Sequence, residues 1–175
     1  MSVDYSDYSN PTVPRIAVIG CGYWGVNYVR VMSELQEARL TAICEPRGER
    51  LAEIGSRYPS AALIQDLEEL LIRSDVDAVV VATGATSHYG VARRCIEAGK
   101  HVLIEKPLAT DSSEGEALVE FARERGVVLM VGHTFIFNPS VMKMRSYVDN
   151  GTLGSLYYLY SRRTNLGPVR HDVNA

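Results

Sequence analysis

Lys106 is the residue of this chain best placed to do chemistry. It stands in Glu105-Lys106-Pro107, directly after an apolar run over 101–104. If that run is a strand of an open α/β sheet, the lysine lies at its carboxyl end, where such sheets bind ligands. An ammonium there can hydrogen-bond a substrate hydroxyl and stabilise developing negative charge. It can also carry the proton released when an alcohol is oxidised. Two plainer readings stand beside this one: a lysine in a surface loop, or a structural pair with Glu105.

The second constellation is Gly20-x-Gly22-x-x-Gly25, which follows an apolar run over 16–19 and opens a helical pattern. Gly20 permits a tight turn, Gly22 lets a pyrophosphate approach the backbone, and Gly25 lets the helix pack close to the strand. The phosphates then meet the unpaired N–H groups and positive dipole end of the helix. Tyr23 and Trp24 sit inside this turn. Glu45 follows Gly25 by twenty residues, at the end of a second apolar run over 40–44. A carboxylate there accepts hydrogen bonds from an adenosine ribose and repels a 2′-phosphate. Arg47, two residues on, offsets part of that repulsion, so NAD is expected to be preferred to NADP without absolute exclusion. A glycine-rich turn that binds nothing is the plain alternative.

Two further segments fall at strand ends: Thr83-Gly84-Ala85-Thr86-Ser87-His88, and Gly132-His133-Thr134-Phe135 running on to Asn138-Pro139. Thr83, His88, Glu105 and Lys106 are candidates to line the cofactor cleft, with Tyr23 and Trp24 of the glycine turn, although a histidine opening a helix also serves as a hydrogen-bonded structural residue. His133, Phe135 and Asn138 are candidates for the substrate side. No His, Asp or Glu spacing suggests a metal site. The three cysteines, Cys21, Cys44 and Cys95, form no C-x-x-C. They read as buried reduced thiols of a cytoplasmic protein.

These residues need a scaffold, and the apolar periodicity supplies one. Strands are expected over 15–19, 40–44, 62–64, 78–82, 101–104 and 127–131. Helices are expected over 23–35, 47–57, 67–73, 89–98 and 113–125. Strands alternating with helices define a doubly wound parallel sheet, and the β-branched run at 78–82 suits a strand buried on both faces. After residue 139 the pattern changes. A helix over 140–150 is followed by an aromatic-rich run over 156–164, which reads as a strand opening a second unit. The expected organisation is a disordered lead-in over 1–13, a dinucleotide-binding domain over 14–139 and the beginning of a substrate and oligomerisation domain over 140–175.

The 175 residues carry a formal charge of −3 and are 46% hydrophobic. That suits a globular core. No basic stripe points to nucleic acid. No apolar run approaches the roughly 20 residues that cross a bilayer, and the polar N-terminus lacks the pattern of a signal peptide.

Several segments together resemble one family. Gly20-x-Gly22-x-x-Gly25, Glu45-Pro46, Ala82-Thr83, Gly99-Lys100-His101-Val102, Glu105-Lys106-Pro107-Leu108 and Gly132-His133-Thr134-Phe135 occur in the order found in Gfo/Idh/MocA oxidoreductases. The resemblance covers residues 14 to 175. It implies a Rossmann domain followed by an open, mostly antiparallel α+β substrate domain that often forms the oligomer interface. It implies NAD as cofactor, Lys106 as the catalytic lysine, and hydride transfer to or from a secondary alcohol of a sugar. Asn165-Leu166-Gly167 resembles members acting on nucleotide sugars, and Arg163 and Asn165 join the expected substrate residues on that basis. The acid/base histidine of the family is not matched here, and His171 and Asp172 lack its context. The family usually has proline where this chain has Gly84, so a looser loop beneath the nicotinamide is expected. The chain reads as the N-terminal half of such an enzyme, not competent for turnover alone. Two rivals are a Rossmann module that holds NAD without chemistry, and a cofactor subunit completed by a separate chain.

Overall fold

The computed structural model describes residues 13–162 and residue 164. Six strands, β1 (Arg15–Ile19), β2 (Arg39–Cys44), β3 (Ala62–Ile64), β4 (Ala78–Val81), β5 (His101–Ile104) and β6 (Leu129–Val131), form one sheet in the order β3-β2-β1-β4-β5-β6. Every neighbouring pair is parallel. The helices are α1 (Gly25–Glu34), α2 (Gly48–Gly55), α3 (Leu67–Leu71), α4 (His88–Glu97), α5 (Ser112–Glu124) and α6 (Pro139–Asp149). This is the doubly wound Rossmann architecture. Its direction of growth reverses between β1 and β4, and the crevice at that reversal is where such sheets take ligands.

The two faces of the sheet carry separate cores. Alternate residues of β1 point to opposite faces: Ala17 and Ile19 join a cluster with Val79, Val81, Ile96 and Leu118, whereas Val18 joins Ile43, Val80 and Val29. Burial on both faces explains why β1 and β4 read as unbroken apolar runs. Leu51 and Ile54 of α2 are buried, and Tyr58 packs against the cluster they join.

The strands over 15–19, 62–64 and 101–104 form as expected, and the other elements differ mostly at their ends. α1 begins at Gly25 rather than 23, because Tyr23 and Trp24 complete the turn out of β1. α5 begins one residue early, with Asp111 accepting from Ser113 N at 2.8 Å as its cap. A single 3-10 turn, Ala85–Ser87, leads into α4, and another, Thr134–Phe137, follows β6. The substantive correction concerns 156–164. α6 forms, with Asn138 capping it and Pro139 at its start, but residues 156–162 and 164 are in no strand. Tyr157, Tyr158, Leu159 and Tyr160 are each at least 80% exposed. No described strand lies beside them, so their backbone has no ladder to join.

Candidate cofactor site

The turn after β1 is built around missing side chains. Gly20 has φ of +89°, in the left-handed region, and its N–H donates to Cys44 O at 2.8 Å. A Cβ there would stand 2.9 Å from Thr83 Cγ2 and 3.0 Å from the Ala82 backbone, so β1 and the β4 loop touch only because Gly20 is bare. A Cβ on Gly25 would lie 1.9 Å from Gly20 O. Gly22 differs: a Cβ would meet nothing within 4 Å. It would instead project into the space above the turn. α1 has no side-chain cap and no acid in its first turn, so its N-terminus is left for an anion. These features fit a dinucleotide pyrophosphate.

At the end of β2 Glu45 is only 2% exposed. Its Oε2 accepts from Cys21 N at 2.8 Å and Arg47 Nη2 at 3.2 Å, and its Oε1 accepts from Arg47 Nε at 2.7 Å and Arg47 N at 3.2 Å. Burial pushes its pKa up, but the Arg47 guanidinium and the two backbone N–H groups outweigh this and hold the carboxyl below its ordinary value. Arg50, one turn along α2, donates from Nε to Cys21 O at 3.0 Å and so pins the glycine turn from the other side.

A cavity of about 400 Å³ joins these groups to the ends of β4 and β5. Every residue assigned to the cofactor from the sequence borders it except Gly25, which is buried behind the turn: Gly20, Gly22, Tyr23, Trp24, Glu45, Arg47, Thr83, His88, Glu105 and Lys106. His88 is 1% exposed. Its Nδ1 lies 2.7 Å from Pro107 O and its Nε2 3.1 Å from Thr83 O, so the ring ties the β4 loop to the turn that carries Lys106. The ring is committed to those carbonyls, which makes His88 a brace for the cavity wall. The β4 loop is not loose. Ser87 Oγ lies 2.7 Å from Gly84 O and 2.8 Å from Thr83 Oγ1, and Ser87 N donates to Gly84 O at 2.9 Å. Gly84 itself has φ of −65°, the value proline would impose.

Lys106 is exposed and follows a buried acid. Glu105 Oε2 accepts from Lys106 N at 3.0 Å, while its Oε1 accepts from Tyr28 Oη at 2.6 Å. Burial, then the neighbouring Glu105 carboxylate, pushes the Tyr28 hydroxyl well above its ordinary pKa. The Lys106–Pro107 peptide is cis. Lys106 also borders a second cavity, of about 510 Å³, shared with Tyr28, Gly132, Thr134 and Phe135. His133 and Asn138 are exposed and border neither cavity, and Asn138 Oδ1 accepts from Ser140 N at 2.9 Å as the α6 cap. Arg163 and Asn165 lie outside the described residues.

Sequence reasoning missed Tyr28 and Arg50. Tyr28 is three residues past Gly25, a helical spacing that places both on the sheet-facing side of α1, but its partner is 77 residues away. Arg50 has the same spacing from Arg47, and only the fold shows that it reaches the turn after β1.

A glycine cradle at the topological switch, an acid closing the neighbouring strand and a cavity between them define a dinucleotide-binding Rossmann domain. Residues 14–133 match the family described as "Oxidoreductase family, NAD-binding Rossmann fold" (GFO_IDH_MocA), and the chain belongs to that family. It is 36% identical over 139 residues to 4-carboxy-2-hydroxymuconate-6-semialdehyde dehydrogenase of a Sphingobium species, covering 79% of this chain and 44% of that protein. It is 35% identical over 151 residues to dTDP-3,4-didehydro-2,6-dideoxy-alpha-D-glucose 3-reductase of Actinomadura kijaniata, covering 85% and 45%. The crystal structure of a 3-ketoreductase from Actinomadura kijaniata, in complex with TDP-benzene and NADP, superposes with a TM-score of 0.73 at 34% identity, covering 79% and 44%. The chain therefore spans under half the length of the curated relatives it matches. Among the described residues no helix is long and apolar enough to cross a membrane, and no group of three His, Cys, Asp or Glu is arranged to hold a metal ion.

Proposed function

We propose that this chain is the cofactor-binding half of an oxidoreductase that transfers a hydride between NAD and a secondary alcohol of a sugar or nucleotide sugar. The observation that carries this reading is the position of Lys106, on the wall between the cofactor cavity and the second cavity. When bound, the nicotinamide supplies the hydride acceptor or donor. The Lys106 ammonium hydrogen-bonds the substrate oxygen and orients the carbinol. It stabilises the charge that grows on a carbonyl oxygen as hydride arrives and, in the reverse direction, the alkoxide left once the hydroxyl proton has passed to water. Glu105 and Tyr28 fix the backbone of Lys106, and His88 braces its turn against Thr83. Gly20, Gly22 and Gly25 cradle the pyrophosphate, with Tyr23 and Trp24 at its rim, and Glu45 takes the adenosine ribose. Phe135 contributes to the substrate side beside Lys106, with His133, Asn138, Arg163 and Asn165 further from it.

The nucleotide-sugar substrate class is supported by the named activity of the Actinomadura relative. The wall facing the nicotinamide belongs to a second unit that begins in 140–175. Exposed apolar residues along 135–160, among them Phe137, Met144 and Tyr157, suit an interface with that unit or with a second copy. Three buried free thiols suit a reducing, cytoplasmic setting.

Calorimetric titration of the chain with NAD tests the first half of this reading, with saturable binding expected and absence of binding overturning it. In a protein of the relatives' length carrying these residues, Lys106→Met is expected to abolish NAD-dependent oxidation of its sugar substrate. NAD affinity should stay within a few-fold. Turnover near the parent rate would return Lys106 to a surface loop.

A further inference from the structure

We infer that Arg47 gates the ribose subsite, holding the Glu45 carboxylate in the place of a ribose diol and setting the balance between NAD and NADP. This rests on the reading of Glu45 as the ribose acceptor. A carboxylate offers about four lone-pair positions, and at Glu45 four N–H donors fill them. Two are backbone groups, Cys21 N and Arg47 N, fixed by the turn after β1 and the start of α2. The other two are Arg47 Nε and Nη2, one on each carboxylate oxygen.

That pair has the pattern of a vicinal diol, which also donates one hydrogen bond to each oxygen of a carboxylate. The two cannot be accommodated together. The Glu45 side chain is 3% exposed and that of Arg47 65%, so the arginine is the movable partner. Ribose binding then exchanges two charge-assisted bonds to an internal cation for two bonds from hydroxyls. Arg47 is thus an internal competitor of NAD.

Once displaced, the guanidinium swings on a solvated stem at the rim of the cavity that Arg47 borders. A 2′-phosphate presents the anionic, multidentate partner that an arginine fork matches. With NADP the opened Arg47 gains a new partner. With NAD it gains none. The same side chain therefore weakens NAD binding and supports NADP binding, which softens the preference that Glu45 alone would impose.

The test is titration of the chain with NAD and with NADP for the parent, Arg47→Met and Glu45→Gln, with thermal melts reporting that each variant folds. Arg47→Met keeps the aliphatic stem and removes both competing donors. It is expected to bind NAD about two- to fivefold tighter, the range of a solvent-exposed ion pair, and NADP more weakly than the parent. Unchanged or weaker NAD binding by Arg47→Met overturns the gate. Glu45→Gln is expected to weaken NAD and tighten NADP. If Glu45→Gln leaves both affinities unchanged, the ribose reading itself fails. If it shifts them as expected while Arg47→Met does not tighten NAD, only the gate fails. Should Glu45→Gln not fold, Arg47→Met decides the gate alone.

Discussion

Gly22 and Gly25 stand three residues apart in one motif, yet the structure assigns them opposite consequences on substitution. A Cβ on Gly25 would lie 1.9 Å from Gly20 O and 2.8 Å from Gly20 C, where ordinary contact begins at 3.4 Å. Backbone must therefore separate by about 1.5 Å, and Gly20 has little room to give. Its N–H is bonded to Cys44 O at 2.8 Å, and its own Cβ direction already faces Thr83 and Ala82 at 2.9–3.0 Å. Overpacking of this kind costs about 1–3 kcal/mol, and backbone against backbone argues for the upper end. At about 3 kcal/mol, Gly25→Ala should melt some 6–12 °C below the parent.

Gly22→Ala meets nothing within 4 Å, and Gly22 is not among the glycines at positive φ. Its effect on stability is that of a less flexible unfolded chain, roughly 0.4–1 kcal/mol in favour of the fold. The new methyl occupies the space where the pyrophosphate would approach, so NAD affinity should fall by about tenfold or more. Differential scanning calorimetry gives the melts, and isothermal titration with NAD gives the affinities. If Gly22→Ala binds NAD like the parent, the turn does not cradle phosphate as described. If Gly25→Ala melts like the parent, the helix does not rest on the turn as closely as the structure has it.

Two other perturbations test the scaffold. Gly84 has the φ of a proline, a Cβ there meets nothing within 4 Å, and no backbone hydrogen bond from its N–H is found among the described residues. Gly84→Pro should therefore raise the melting temperature by about 1–4 °C, from a gain of about 0.4–1 kcal/mol, without loss of NAD binding; a lower melting temperature would show that the loop needs its glycine. Hydrogen bonds from Arg15, at 2.6–2.9 Å, outweigh partial burial and hold Asp77 down at about 2 from the usual 3.8. Because the folded value is the lower one, this stabilisation is complete above pH 3.8 and is lost as pH falls towards 2. The full shift would correspond to about 2.5 kcal/mol, but side-chain exposures of 40% and 38% reduce the pair to about 1 kcal/mol. Asp77→Asn should lose that amount at pH 7 and converge on the parent near pH 2 in urea unfolding; a difference that persists at pH 2 would assign the loss to something other than the charge.

The sheet was legible because its signals are local and redundant. Ile16–Ile19 and Ala78–Val81 are continuous apolar runs, and two faces of buried neighbours are what such runs require. The geometry of the glycine turn and the place of Glu45 beside it were legible because the motif fixes its residues in number and spacing along the chain. What stayed hidden depends on residues distant in sequence. Nothing near Tyr28 announces Glu105, and nothing near His88 announces that its ring spans from Thr83 to Pro107. The looseness expected from Gly84 is countered locally instead: Ser87, three residues on, hydrogen-bonds Gly84 O through both its hydroxyl and its backbone N–H. The competition at Glu45 was hidden differently. Both residues were singled out, but only geometry shows that one fills the acceptors of the other.

The run over 156–164 marks the limit of local reading. Leu156 through Tyr160 have the aromatic character that favours strands, as β4 does with its valines. β4 is a strand because β1 and β5 take up its backbone groups on both sides, in register Val80 with Val18 and Leu103. Tyr157 and Tyr158 have no such neighbours among the described residues and are 92% and 87% exposed. β-propensity measures how well a side chain suits a half-buried pleated surface, so it says little where no such surface exists. The aromatic run is then best read as a surface suited to pairing. An exposed, largely apolar segment of this kind gains from burial roughly in proportion to its area. Lys106 and the second cavity lie on the side of the Rossmann domain where Phe135 leads into α6, the helix that this segment follows.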